Sequence, residues 1–286
     1  MKSGRILVTG ASGNVGSGVF ALLEQAGADV RAGSSNPERV RSGRENGEKS
    51  VHLDLLDPST YSSALEGVDK IFFIRPPSIS DVKKYIAPFI RCAADTKVKH
   101  IVFMSLQGVE KNSFVPHHAI EKCIVESEIP YTFLRPSFFM QNLSTTHREE
   151  IRDRSMIFVP AGKGKTSFID ARDISAVAAK VLCEEGHQFK AYELTGKDSI
   201  GYDEAAEIFS EVLGRRIVYA DPSPVKFYFD KRKRGFDRSF VLVMIALYSV
   251  ARFGLASRTT KDTEGLLGRE PISFARFVRD HKSVWQ

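Results

Sequence analysis

A glycine-rich segment near the amino terminus has the residue types and spacing of a phosphate-binding loop. Gly10, Gly13 and Gly16 follow the apolar run 6–8 and precede a segment with helical spacing. The first glycine permits a tight turn, the second lets the backbone approach a pyrophosphate, and the third lets the helix pack closely. The N–H groups that open the helix would face the phosphates. We therefore predict that a dinucleotide is bound by the loop residues Gly10, Ala11, Ser12, Gly13, Asn14, Val15 and Gly16.

The end of the second predicted strand indicates which dinucleotide fits. Domains that prefer NAD carry an acid there, about 20 residues beyond the loop, to bind the ribose hydroxyls. Residues 31–36 contain no carboxylate. Ser34, Ser35 and Asn36 could donate to a 2′-phosphate, and Arg39 or Arg31 could neutralise it, although the same residues also suit a polar turn. The missing acid predicts NADP(H) as the preferred cofactor, with NAD(H) as the alternative.

Asp54 and Leu55 follow the third predicted strand. A carboxylate at this position can accept a hydrogen bond from the adenine amino group while Leu55 packs on the ring. The alternative is a plain helix cap, a role that Asp57 already suits because it precedes Pro58. We favour the adenine contact for Asp54 and Leu55.

Short apolar runs alternate with helical patterns over the first half of the chain, with short connections between them. This alternation predicts an α/β fold of the Rossmann type, a doubly wound parallel sheet with helices on both faces. After Pro136 the rhythm loosens, with a helix predicted over 138–152 and mostly helical patterns later. We predict a nucleotide-binding domain over residues 1–137. A smaller, mostly helical substrate-side lobe would cover residues 138–286, with some elements returning to the first domain.

Composition and charge restrict the classes of partner. The net charge is +6, and the basic run 231–234 is more typical of a solvated face than of a nucleic-acid site, so no nucleic-acid partner is predicted. The three cysteines are widely spaced and lie in no metal-ligand pattern, which predicts no metal and free thiols in a reducing cytoplasm. No apolar signal segment precedes the first strand.

The longest apolar run, 240–251, is shorter than the roughly 20 residues that cross a bilayer. No membrane partner is therefore predicted, and a buried or pocket-lining helix is favoured. A subunit contact in a homodimer is the alternative for this run.

Several longer motifs resemble the NmrA-like family of atypical short-chain dehydrogenases/reductases, which includes type 2 NAD(P)H:quinone oxidoreductases and triphenylmethane dye reductases. The resemblance covers nearly the whole chain. The motifs that carry it are TGASGNVG at 9–16, FFIRPP at 72–77, HHAIE at 117–121, IPYTFLRPSFFMQN at 129–142 and PAGKGKTSFIDARDISAVAAKVL at 160–182.

The resemblance implies site residues that the spacing alone does not. Residues implied to contact the cofactor are Ile74, Arg75 and Pro76 along its ribose and pyrophosphate, Ser105 at the nicotinamide ribose, and Pro136, Ser137 and Phe138 beside the nicotinamide. Phe139 and Met140, together with Phe138, are implied to wall the substrate pocket. Ordinary core packing is the alternative for these three side chains.

The Tyr and Lys pair with which typical short-chain reductases protonate their product is absent, since the chain has no YxxxK motif. If Glu121 is aligned with the acid of the family's HxxxE pattern, His117 and Ser113 stand where the Lys and Tyr would be. A second register uses His118 and Lys122 but breaks the match at Glu121. We predict that Glu121, one turn away, raises the pKa of His117 and that His117 is catalytic, as a proton relay or substrate-orienting group. A surface pair is the alternative.

Transfer of a hydride to a quinone or a cationic dye does not require such a proton donor, because the product is stabilised or neutral. Placement of the acceptor over the nicotinamide could then supply most of the catalysis. These observations predict an NADPH-dependent oxidoreductase that acts on a small quinone-like or other conjugated electrophile. The alternative is a non-catalytic NADP(H)-binding redox sensor, a type that the same family contains.

Overall fold

The computed structural model describes residues 4–36 and 49–286, which form two compact units. The first unit consists of residues up to Pro136 together with Ala171–Leu194, and the second of Ser137–Asp170 and Thr195–Gln286. Each unit has its own hydrophobic core.

A seven-stranded parallel sheet forms the first unit, in the order β3-β2-β1-β4-β5-β6-β9. The strands are β1 (Arg5–Thr9), β2 (Val30–Ser34), β3 (Ser50–His52), β4 (Val68–Phe73), β5 (His100–Met104), β6 (Tyr131–Pro136) and β9 (Lys190–Leu194). Ile6, Leu7 and Val8 in β1 are fully buried. Such strands are covered on both faces, which explains why they read as continuous apolar runs.

The sheet is flanked by helices α1 (Gly16–Gln25), α2 (Tyr61–Leu65), α3 (Ala87–Asp95), α4 (Pro116–Glu126) and α7 (Ala171–Cys183). A short 3₁₀ helix (Pro58–Thr60) precedes α2, and a π-helical turn (Val82–Ile86) precedes α3. The winding direction reverses between β1 and β4, which lie side by side, so the loops after these strands open at the same edge. The predicted doubly wound Rossmann fold is confirmed.

The last helix of the first unit, α7, packs closely against α1. A Cβ atom built on Gly18 would lie 2.6 Å from the hydroxyl oxygen of Ser175, so only glycine fits at this crossing. The same hydroxyl lies 3.0 Å from the carbonyl oxygen of Val15 and 2.8 Å from that of Ala171, so its single proton is shared between these two acceptors. A residue 160 positions further along the chain therefore contacts the residue that precedes α1.

The second unit is mostly helical, with two small two-stranded sheets. Its elements are α5 (Gln141–Ser144), α6 (Arg148–Arg154), β7 (Met156–Ile157), β8 (Lys165–Thr166), β10 (Ile200–Gly201), α8 (Tyr202–Leu213), β11 (Val218–Tyr219), α9 (Pro224–Lys233), α10 (Arg238–Arg252), α11 (Asp262–Leu267) and α12 (Phe274–Asp280). Large aromatic side chains form much of its core, including Phe209, Phe277 and Trp285, all fully buried.

The continuous helix predicted over 138–152 is wrong. Phe139 pairs with Ile169 in an isolated bridge, and the amide of Met140 donates to the carbonyl of Ile169 at 2.9 Å. This pairing keeps residues 138 and 139 out of a helix, whereas Met140 already has helical dihedral angles as the N-cap of α5. Two short helices, α5 and α6, follow in place of the continuous one.

The buried helix predicted for the apolar run 240–251 is only half correct. In α10, Val241, Met244, Tyr248 and Ala251 are buried, whereas the other side of the helix is exposed. Across residues 4–36 and 49–286, no helix combines the length and apolar character needed to cross a membrane.

Candidate dinucleotide site

The glycine turn between β1 and α1 has the geometry that the sequence predicts. Gly10 has a φ of +62°, in the left-handed region that glycine adopts without strain, and its carbonyl accepts from the amide of Gly13 at 2.9 Å. A Cβ atom on Gly16 would lie 2.2 Å from that same carbonyl oxygen. Gly16 is therefore required by the close return of the chain onto its own turn.

Gly13 has no such neighbour. A Cβ atom built there would have the carbonyl oxygen of Gly10 as its nearest neighbour, 3.4 Å away, which is ordinary contact. Gly13 is exposed, as are Ser12 and Asn14, while Ala11 and Val15 are buried. Among the described residues, no side chain caps the start of α1, and its first turn holds no acid. The turn therefore leaves an open helix terminus of the kind that binds phosphate groups.

Thr9, which opens the TGASGNVG motif but is not among the predicted cofactor contacts, joins the ends of β1 and β4. Its hydroxyl accepts from the amide of Ile74 at 2.7 Å and lies 3.3 Å from the carbonyl oxygen of Phe72. This pairing places the Ile74 side chain against the glycine turn, where a Cβ atom on Gly10 would be 3.3 Å away. In the sequence, the position of a threonine directly before the glycine turn is the feature that could have indicated this role.

The end of β2 is a polar turn. The Ser34 hydroxyl accepts from the amide of Asn36 at 3.1 Å and donates to its carbonyl at 3.0 Å, while Ser35 and Asn36 are exposed. Arg39 lies outside the described residues. Contacts of these residues with a 2′-phosphate stay a prediction.

Neutralisation of a 2′-phosphate by Arg31 stays a prediction, against which the neighbours of Arg31 argue. Besides burial, which lowers its pKa, the charges acting on Arg31 are those of Arg5, Asp29 and Glu66. These three residues lie at the amino ends of β1, β2 and β4. Arg31 therefore interacts at the edge of the sheet opposite the glycine turn.

A test of the β2 turn is to place the missing acid there. Ser35→Asp should weaken NADPH binding roughly tenfold more than NADH binding, because a carboxylate repels the 2′-phosphate by about 1.4 kcal/mol. Dissociation constants for both cofactors can be measured by calorimetry. Ser35→Asn, which adds similar bulk without charge, is the matched control. Equal losses for the two cofactors would contradict the assignment.

At the end of β3, the Asp54 carboxylate accepts from the amide of Leu56 at 2.9 Å. Asp57 caps the following 3₁₀ helix by accepting from the amide of Ser59 at 3.0 Å, so its predicted capping role is confirmed. Leu55 is 5% exposed and belongs to the core, whereas Leu56 is 55% exposed. The adenine contact of Asp54 stays a prediction, and Leu55 offers little surface for the ring.

Arg75 holds the loop that follows β4. Its guanidinium donates to the carbonyls of Pro76, Pro77 and Ile79 at 3.0, 3.1 and 2.7 Å. Burial lowers the pKa of Arg75. The resemblance implies that Arg75 lies along the cofactor. In the structure, one terminal nitrogen of its guanidinium binds carbonyl groups of its own loop.

His117, at the start of α4, does not have the environment that the sequence predicts. Its ring stacks on Phe103 with centroids 5.9 Å apart. Burial, followed by the charge of Arg75, lowers the pKa of His117 to about 4. The raised pKa predicted from Glu121 is wrong, because Arg135 binds the Glu121 carboxylate through two hydrogen bonds of 3.0 and 2.7 Å. His117 is thus neutral at pH 7.

Ser113, His118 and Lys122 are the other residues of the two alignments considered for the Tyr and Lys pair. In the structure they are exposed or bound to other groups. Ser113 is exposed in the turn before α4. The ring of His118 is held by the carbonyl of Val109 at 3.1 Å, and Lys122 pairs with Glu126 at 3.7 Å.

Three polar atoms in the region of β4, β5 and α4 are buried and have no hydrogen-bond partner within the described ranges. They are Arg75 Nε, Ser105 Oγ and His117 Nδ1. Buried polar atoms without partners are costly, so each of the three suits a polar ligand group. Ser105 follows β5 directly and is 4% exposed. The first unit therefore combines an open glycine turn with buried polar atoms that could form hydrogen bonds to a ligand.

The lowered pKa of His117 predicts how stability depends on pH. Its folded pKa of about 4 lies below the unfolded value of 6.5, so the unfolded chain binds the proton first as the pH falls. The stability that the folded protein gains from keeping His117 neutral is fully present above pH 6.5, and it declines as the pH falls toward 4. Between about pH 7 and about pH 5 it amounts to about 2 kcal/mol.

Urea unfolding of the wild type and His117→Asn at those two pH values measures this contribution. The variant should lose about 2 kcal/mol less free energy of unfolding than the wild type on acidification. Identical losses would show that His117 is not held neutral by burial.

The segment 137–140 belongs to the second unit, where its contacts can be described by themselves. The hydroxyls of Ser137 and Ser167 are 2.9 Å apart and buried. Phe138 is half-buried, with its ring 6.3 Å from that of Tyr248. Met140 is 1% exposed within the core, which favours the packing alternative for this residue. Roles of Ser137, Phe138 and Phe139 in binding stay predictions, as does that of Pro136 at the end of β6.

The part of the chain that the structure describes contains no candidate metal site. No group of three or more His, Cys, Asp or Glu side chains there could hold a metal ion. Cys92, Cys123 and Cys183 are free thiols.

Known proteins resemble this chain over its full length. The uncharacterized oxidoreductase YesF of Bacillus subtilis (strain 168) is 31% identical over 100% of this chain and 98% of its own length. The NAD(P)H azoreductase of Xenophilus azovorans is 31% identical over 98% of this chain and 99% of its own length.

Solved structures agree. The triphenylmethane reductase of a Citrobacter species, complexed with NADP(H), is 28% identical with a TM-score of 0.87, covering 96% of this chain and 99% of that one. A new type of NADPH-dependent quinone oxidoreductase (QOR2) of Escherichia coli is 25% identical with a TM-score of 0.85, covering 96% and 98%. Residues 2–248 match the NmrA-like family, and the chain belongs to that family.

Proposed function

We propose that this protein is an NADPH-dependent oxidoreductase that reduces a small quinone-like or other conjugated electrophile. The observation that carries the proposal is the carboxyl edge of the first unit's sheet. There the uncapped glycine turn follows β1, and Ser105 follows β5. Among the described residues, the buried atoms Ser105 Oγ and, in α4, His117 Nδ1 have no hydrogen-bond partner. This edge is where doubly wound folds bind dinucleotides.

The residues present fit the cofactor group by group. Backbone amides of the turn 10–16 would hold the pyrophosphate, and Gly13 leaves the space that a close backbone approach needs. Ser34, Ser35 and Asn36, with Arg39, would hold the 2′-phosphate. Ser105 and His117 would supply hydrogen bonds to the nicotinamide ribose, which would give their buried atoms partners.

When bound, the dihydronicotinamide supplies a hydride to the acceptor. The chain's own groups supply positioning more than acid catalysis, because His117 is neutral at pH 7 and Arg135 occupies the carboxylate of Glu121. A neutral imidazole is a weak proton donor to a basic alkoxide. Acceptors whose reduced form is a stabilised phenolate or a neutral molecule avoid that requirement.

The names of relatives support the same class of acceptor. An azoreductase, a triphenylmethane reductase and a quinone oxidoreductase are among the proteins similar to this chain. Azo compounds, triphenylmethane dyes and quinones are all conjugated electrophiles. We take the shared chemistry, and no particular acceptor, as the proposal.

The test is NADPH oxidation by the purified full chain in the presence of a benzoquinone, a cationic triphenylmethane dye, an azo dye and a simple aliphatic ketone. We expect turnover above the uncatalysed rate with at least one conjugated acceptor and none with the ketone. Tight NADP(H) binding without turnover on any acceptor would contradict the proposal and favour a redox sensor. Rapid reduction of the ketone would contradict the argument from His117.

A further inference from the structure

The second unit carries a large exposed surface that is both apolar and basic. We define it as the α9–α10 surface, the solvent-facing side of residues 224–258. Nine of the fourteen large hydrophobic residues recorded as exposed in the described chain lie in this segment. Contiguous exposed apolar patches are uncommon on soluble monomers and mark interaction sites.

Helix α10 contributes an apolar stripe. Leu242, Val243, Leu247 and Val250 are 37% to 54% exposed, and their spacing places them on one face of the helix. The opposite face packs into the core of the second unit, so α10 is apolar on both sides. After the helix, Phe253 is 76% exposed. Packing within the second unit therefore does not explain why the outward-facing residues of α10 are apolar.

Helix α9 adds positive charge to the same surface. Its exposed residues Val225, Lys226, Phe229, Arg232 and Lys233 follow the spacing of one helix face. Helices α9 and α10 pack together, and the ring of Phe227 lies 6.1 Å from that of Tyr248. The exposed face of α9 thus mixes apolar and basic side chains beside the stripe of α10.

The charge of the whole chain is concentrated here. Residues 224–258 contain eight basic and two acidic residues, a net charge of +6, and the complete chain also has a net charge of +6. The remaining sequence is therefore neutral overall. Lys231 and Arg234 turn inward to Glu150, but Lys226, Arg232, Lys233 and Arg238 are exposed.

We propose that the α9–α10 surface docks onto the surface of an anionic lipid bilayer. The prediction of no membrane partner followed from the lack of a spanning segment, so this proposal replaces it for binding at the bilayer surface. A helical surface with exposed Phe, Leu and Val next to Lys and Arg is typical of peripheral binding in the plane of the interface. A second copy of this chain fits less well, because a two-fold contact would set the same net-positive surface against itself. A protein partner is disfavoured by exposed lysines, which are depleted in protein interfaces.

The test is flotation of the purified full chain with lipid vesicles, without cofactor or acceptor, so the result is independent of the proposed function. Vesicles of equal parts phosphatidylglycerol and phosphatidylcholine are compared with pure phosphatidylcholine. We expect binding to the anionic vesicles that falls steeply as salt approaches about 1 M, where charges are screened within about 3 Å. Binding to the neutral vesicles should be much weaker.

Two double variants separate the contributions of charge and apolar surface. Lys226→Glu with Lys233→Glu should lower partitioning onto anionic vesicles on the order of 25-fold, because each basic residue near such a bilayer contributes about fivefold. Val243→Ser with Leu247→Ser should lower it by about tenfold or more. All four side chains are exposed, so the thermal unfolding midpoint should change little.

Matched controls lie in the first unit. Lys83→Glu with Lys111→Glu makes the same change in net charge, and Leu56→Ser with Val125→Ser removes similar exposed apolar groups. Both controls should bind vesicles like the wild type. Equal binding to neutral and anionic vesicles, or equal losses in test and control variants, would overturn the proposal. So would a dimer without vesicle binding that the Val243→Ser, Leu247→Ser variant dissociates, since the surface would then bind a second copy.

Discussion

Gly16→Ala is expected to weaken NADPH binding by on the order of 100-fold. Its Cβ atom would lie 2.2 Å from the backbone carbonyl oxygen of Gly10, and a backbone atom cannot yield without moving the turn. Displacing the turn removes one or two amide hydrogen bonds to a charged phosphate, each contributing about 1.5–3 kcal/mol. Calorimetric titration measures the loss of affinity, and thermal unfolding of the cofactor-free protein measures the strain.

Two further glycine variants make this result specific. Gly13→Ala meets no atom closer than 3.4 Å, so the cofactor-free protein should keep its stability while NADPH affinity still falls, because the new methyl group would face the pyrophosphate. Gly265→Ala, in α11 with open space around it, should change neither quantity measurably. Wild-type affinity in Gly13→Ala would contradict the placement of the phosphates at this loop.

Glu150→Gln is expected to cost about 3–5 kcal/mol of free energy of unfolding. Lys231 and Glu150 form an ion pair whose side chains are 0% and 1% exposed, and burial lowers the pKa of Lys231. The variant leaves the lysine ammonium in the core without its carboxylate. Arg234 is less affected, because it also pairs with Glu149 at 2.6 Å. Urea-induced unfolding followed by circular dichroism measures the change.

The matched test removes both charges. Glu150→Leu combined with Lys231→Met should recover most of the lost stability, since an apolar pair of similar size carries no desolvation cost. Asp153→Asn, which breaks the exposed pair with Arg152, should cost at most about 1 kcal/mol. A double variant no more stable than Glu150→Gln would show that the pair is needed for packing rather than for charge compensation.

Much of the first unit could be predicted from the sequence because its signals are local. Buried parallel strands read as apolar runs, and the positive φ of Gly10 and the close contact at Gly16 require glycine wherever such a turn occurs. The second unit was harder. The pairing of Phe139 with Ile169, 30 positions later, overrides the helical pattern of 138–152, and no local rule contains that partner.

The environment of His117 shows the same limit at the site. Helical spacing correctly sets His117 and Glu121 one turn apart, but it cannot show that Arg135 arrives from β6 to bind the carboxylate. The pKa prediction therefore had the wrong sign. Similarly, apolar composition predicts that α10 is buried, yet it cannot show that only one of its two apolar faces packs against other described residues of the chain.

The contact between Ser175 and Val15 has a consequence for the order in which the protein is made. A ribosome releases the glycine turn early, but the hydroxyl that holds the carbonyl of Val15 belongs to a residue synthesised 160 positions later. In between it must produce the first segment of the second unit, residues 137–170. The nascent chain therefore carries the glycine turn without this hydrogen bond until α7 has emerged and docked, so the environment of the earliest strand–helix turn is completed by a segment that is made much later.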